Sequence, residues 1–147
     1  MLTVRPLHSV NQTGSEMERL VRTYHADIDH LVHLPLKSFY DLTKRLPYKP
    51  DPKFQEFVQR PSFTLSGQAR HRDCDDKAVL MGAYLYKNNV PFRFVAVSHR
   101  KDRPLHHVLL QANIGGKNKI IDPTYPKNRL FHFAKPERFY PITRWIK

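Results

Sequence analysis

The chain has one cysteine, Cys74, among 147 residues. No internal disulfide can hold the fold, and nothing in the cysteine usage points to an oxidising compartment. Long apolar runs are missing too. The longest mostly apolar stretch, residues 78–86, falls well short of the roughly 20 residues a membrane-spanning helix needs. The opening segment MLTVRPLHSV has neither an apolar core nor a small-residue cleavage site, so no secretory signal is read there. A cytoplasmic protein without a membrane partner is expected. Repeats and low-complexity tracts are absent as well. The length fits one domain, and 40% hydrophobic and 12% aromatic residues suit a folded chain with a modest core.

Negative charge is scarce in the second half. Residues 1–76 carry 11 Lys/Arg against 10 Asp/Glu, whereas residues 77–147 carry 14 against 3, and the whole chain is +12. A basic half of this kind meets nucleic acid or an acidic partner, or serves only to keep the surface solvated. The paired Cys and His of a zinc finger and the aromatic consensus of an RNA-binding sheet are both missing. A single thiol among carboxylates also fits no common zinc spacing, so neither a metal nor another cofactor is expected.

Residues 1–14 read as a loose arm. Ser15 with Glu18 three residues on resembles a capping box, and apolar residues from Met17 to Val32 recur at helical spacing until Pro35. A cluster of His and Asp along that stretch reads as a solvated face. A short helix is expected near 38–46, an irregular segment at 48–53 where prolines remove donors, and a helical turn over 54–58. Residues 74–86 read as a buried central helix, with Asp75 and Asp76 in its first turn suiting the positive end of the dipole. Strands are expected over 92–97, 107–114 and 117–122, the last two joined by Gly115-Gly116 as a two-residue hairpin. The resulting divisions are a helical part at 15–60, a catalytic core at 61–126 and a C-terminal extension at 127–147. Helices followed by an antiparallel sheet make the class α+β.

Cys74 stands at a helix start, where unpaired N–H groups favour a thiolate. Asp73, Asp75 and Asp76 oppose that effect, and Arg70, Arg72 and a protonated histidine offset them. The thiol is therefore expected to titrate below an ordinary cysteine. The hairpin selects its histidine. A two-residue turn sets Ile114 opposite Lys117, so Asp122 falls opposite Leu109, on the face that carries His107. His107 and Asp122 are then diagonal neighbours at roughly 7–8 Å, within reach of a side-chain hydrogen bond. His106 points to the other face, with Val108, Leu110, Ala112 and Ile121 as core. One ring nitrogen of His107 would take the thiol proton while the other is held by Asp122. The alternative is a buried structural cysteine.

Three motifs bear on that choice. The run GQARHRDCDDKAVL from Gly67 to Leu80, the strand NVPFRFVAV from Asn89 to Val97, and His107-Val108 with IDPTYP from Ile121 to Pro126 follow in order. Cys74 and His107 are 33 residues apart, and His107 and Asp122 are 15 apart. Together these resemble the transglutaminase-like superfamily over residues 48–126, in its small bacterial or phage-type form. The resemblance implies a papain-like core with Cys74, His107 and Asp122 catalytic. It also implies a thioester acyl-enzyme acting on a protein or peptide. Gln68, six residues before Cys74, resembles the glutamine that donates to the oxyanion in papain-like enzymes, and is otherwise a polar loop residue. Arg72 stands where the family usually has glycine, which implies a narrowed or cationic site mouth, and Tyr125 either lines the cleft or caps the sheet. Hydrolysis by a peptidase, amidase or deamidase is expected over cross-linking, because water needs no second binding site and the extra domains of large cross-linking enzymes are absent. The alternatives are a protein-glutamine transglutaminase and a non-catalytic basic module for nucleic acid or an acidic partner.

Overall fold

Asp73 opens the helix around which the molecule is assembled. In the computed structural model, which describes residues 2–3, 10–50 and 58–147, its carboxylate accepts from the Asp75 and Asp76 backbone N–H groups. The Asp76 carboxylate accepts in return from the Asp73 N–H. This reciprocal cap satisfies donors that a helix start leaves unpaired. The helix it begins, α4 (Cys74–Lys87), is buried from Asp75 to Leu85. Its partners are α1 (Val10–Tyr24), α2 (Leu36–Arg45) and α3 (Pro61–Leu65), together with the sheet.

The sheet is antiparallel, in the order β5 (Lys117–Ile121), β4 (His107–Ile114), β3 (Phe92–Ser98), β6 (Arg138–Pro141). Alternation along the strands divides its two faces. Phe92, Phe94, Ala96, Val108, Leu110, Ala112 and Ile121 join α4 and α1 in the main core, while Val95, Val97 and Leu109 form a smaller cluster on the other side. The hairpin register pairs Ile114 with Lys117 and Leu110 with Ile121. Gly115 and Gly116 both have positive φ, the backbone a two-residue hairpin turn demands. A separate short ladder joins β1 (Leu2–Thr3) to β2 (Val58–Gln59). The molecule is α+β.

Several elements differ from the sequence reading. α1 begins at Val10, so residues 10–14 are helical and Ser15 lies inside the helix; residues 1 and 4–9 of the expected arm lie outside the described residues. The same helix ends at Tyr24 and gives way to a 3-10 turn, His25–Ile28. A long-range contact overrides the periodicity there. Arg60 binds Asp27 through two N–H groups at 2.6 and 2.8 Å and stacks over Tyr24. Val58 is in a strand and not a helical turn, and residues 54–57 lie outside the described residues. α3 and β6 carry no periodicity that short segments can show, and tertiary contact decides both.

Candidate active site

Cys74 is the first residue of α4 and is half-buried. Its thiol donates to the Asp75 carboxylate at 3.5 Å. Burial pushes the thiol well above its ordinary pKa, and the charges of Asp75 and Asp73 add to that; the Val108 backbone N–H acts the other way. The register explains why this N–H is free for sulfur. Val108 is the position where the β4–β5 ladder has ended, beyond the Leu110–Ile121 pair. The expected lowering of the thiol pKa is therefore corrected: two carboxylates and loss of water outweigh the helix dipole.

His107 and Asp122 meet across the end of that hairpin. His107 Nε2 lies 2.8 Å from Asp122 Oδ2, with both side chains almost fully buried. Asp122 is fixed from two further directions. Its other oxygen accepts from the Thr124 N–H at 3.1 Å, and its carbonyl accepts from the Tyr40 hydroxyl at 2.8 Å. Tyr125 stacks on His107 with ring centroids 4.6 Å apart, closing one side of the imidazole. With Nε2 donating to Asp122, Nδ1 keeps its lone pair.

Cys74 and His107 line one cavity of about 730 Å³, with Tyr125 and Thr124 from the loop after β5 and residues 44–48 from the end of α2. His106 also lines it but is exposed, its ring nearest the Pro104 carbonyl. The chain is similar in fold to LapG. That protein, from Legionella pneumophila in an EGTA-treated form, superposes with a TM-score of 0.52 at 17% identity, over 93% of this chain and 81% of LapG. No family model and no curated protein matches the sequence. The likeness to LapG is a distant one, of fold alone.

Two residues expected at the site lie elsewhere. Gln68 is exposed and lines a separate cleft with Gln59, Phe63 and His71. It is not among the residues that line the cavity of Cys74. Arg72 is buried and its guanidinium donates to the carbonyls of Thr64, Pro47 and Ser66, while its backbone pairs with Lys49. It ties the end of α3 and residues 47–49 to its own segment and does not line the cavity. Residues that the sequence reading missed are Tyr40, Thr124 and Lys77. The first two act through contacts 82 and 2 residues away from their own positions, which no local pattern shows for Tyr40. Lys77 was hidden because a lysine in an apolar helix reads as the solvated edge. Here it is 1% exposed and lines the cavity.

Proposed function

We propose that the chain is a thiol-dependent hydrolase of amide or peptide bonds, acting through an acyl-enzyme on Cys74. The observation that carries this reading is the shared cavity of Cys74 and His107, with the second ring nitrogen of His107 engaged by Asp122 at 2.8 Å. The fold likeness supports it, since LapG is a cysteine protease. The raised thiol pKa sets the order of events. The thiol is neutral at rest, so its proton passes to His107 Nδ1 as the sulfur attacks the carbonyl carbon. The imidazolium formed is stabilised by Asp122. It returns the proton to the departing amine, and the C–N bond breaks. Water, deprotonated by His107, then attacks the thioester and releases the acid with the free thiol. The Cys74 backbone N–H, at the start of α4, is the donor we assign to the oxyanion.

The test is mass spectrometry after incubation with a thiol-directed probe, comparing wild type with His107→Ala. The expected result is a Cys74 adduct that forms at least tenfold faster in wild type, within the roughly 10²–10⁴-fold range of general-base assistance. Equal rates in the two proteins, or labelling only on unfolding, would return Cys74 to a structural role.

A further inference from the structure

The cavity in front of Cys74 holds groups that the acyl-transfer chemistry does not use. Its wall includes three cations, Lys44, Arg45 and Lys77, and no Asp or Glu. Leu46, Pro47, Tyr48 and Pro126 supply its apolar part. Lys77 lies one helical turn beyond Cys74 and is 1% exposed. Its ammonium, with three N–H donors, donates to a single carbonyl among the described residues, that of Lys44, at 3.0 Å. Thr124 lines the same cavity, is 5% exposed, and its hydroxyl has no hydrogen-bond partner among the described residues. Asp122, the nearby carboxylate, is committed to His107 and to the Thr124 N–H.

A buried ammonium with spare donors and a buried hydroxyl with none of its bonds made each lower stability. Neither serves packing, since an apolar side chain of the same volume would fill the place without that cost. Both fit a ligand that brings negative oxygen atoms into the cavity. Charge-assisted hydrogen bonds to such a group are about twice as strong as neutral ones, and the burial of both side chains strengthens them further. Lys44 and Arg45, at the end of α2, would attract the same charge on approach.

We propose that this cavity binds a carboxylate of the substrate through Lys77 and Thr124, so that the enzyme selects peptides with an acidic group close to the scissile bond. The proposal rests on the thiol reading above. The carboxylate has two sources in a peptide, an Asp or Glu side chain and a free chain end.

The test uses two peptidyl vinyl sulfones that differ only in Glu or Gln beside the reactive group, with labelling of Cys74 read by mass spectrometry. Iodoacetamide serves as a probe that makes no use of the cavity. Acetyl-Ala-Ala, as free acid or as amide, is added as a competitor. The Glu probe is expected to label about tenfold faster than the Gln probe, a difference in line with one hydrogen bond to a charged group. Lys77→Met and Thr124→Val are each expected to bring that ratio towards one, and Lys77→Arg to restore part of it. Protection by the free acid but not by the amide would assign the carboxylate to a chain end and support the proposal equally. Equal Glu and Gln rates, with equal protection by acid and amide, overturn it while the His107 dependence of iodoacetamide labelling keeps the thiol reading. Loss of that His107 dependence overturns both. If Lys77→Met does not fold, Thr124→Val and Arg45→Gln still decide through the ratio.

Discussion

Cys74 and Lys77 sit three positions apart on one helix, and their surroundings push both towards the uncharged form. Burial and the Asp75 and Asp73 charges hold the proton on the thiol. Burial and the Arg72 charge lower the Lys77 ammonium from 10.5 to about 8, against the pull of Asp122. Two outcomes follow at this scale. Asp75→Asn removes the charge while keeping an oxygen that can accept the S–H, so the midpoint of the alkylation rate against pH should fall, as read with iodoacetamide. For Lys77 the folded-state value lies below that of the unfolded chain. Between about pH 8 and 10.5 the unfolded state therefore binds more protons, and stability rises with pH. Urea unfolding of wild type and Lys77→Met should show wild type gaining on the variant across that window, and a constant difference would contradict the lowered value. The two neighbouring histidines also separate here. His107→Ala should abolish assisted labelling of Cys74, and His106→Ala should leave most of it, because only His107 is held by Asp122.

At the scale of elements, the site depends on how α4 starts and where the β4–β5 ladder stops. Asp73 caps α4 and so fixes the position of Cys74. Asp73→Ala should cost about 1 kcal/mol, a typical loss for an N-cap, and denaturant midpoints would measure it. The ladder stops after Ile121, which turns Asp122 back to His107 and leaves the Val108 N–H facing sulfur. α1 is held from the other side by close approach. A Cβ on Gly14 would press into the backbone carbonyl of Ile142. Gly14→Ala should therefore destabilise by about 1–3 kcal/mol, as overpacking does, although alanine is the better helix former. A neutral or stabilising result in thermal unfolding would mean that α1 and the C-terminal segment do not touch as described.

For the whole molecule, the C-terminal segment is a structural part and not an appendage. β6 pairs with β3, and beyond it Ile142 and Ile146 continue the hydrogen bonding to Phe94 and Phe92. Without these residues the β3 edge would be bare, with Phe92 and Phe94 beneath it, an open template for association. A chain ending at residue 136 is expected to elute as aggregate in size-exclusion chromatography, and a monomer with native thermal unfolding would refute the role given to β6. Among the described residues no helix is long and apolar enough to cross a membrane.

The pairing of His107 with Asp122 in the candidate site was legible in the residues because its determinants are local. Asp and Cys at a helix start, and a two-glycine turn with period-2 strands, are short-range features. Parity alone then put His107 and Asp122 on one face. What the residues did not disclose are the contacts made between distant segments. Tyr40 reaches Asp122 from 82 positions away, Arg60 ends the first helix through Asp27, and Arg72 is withdrawn from the site by the carbonyls of Pro47, Thr64 and Ser66. The charge state of the thiol belongs to the same group. Sequence position predicts the helix dipole, but only the tertiary structure decides how much water reaches the sulfur, and with two carboxylates beside it the loss of water prevails.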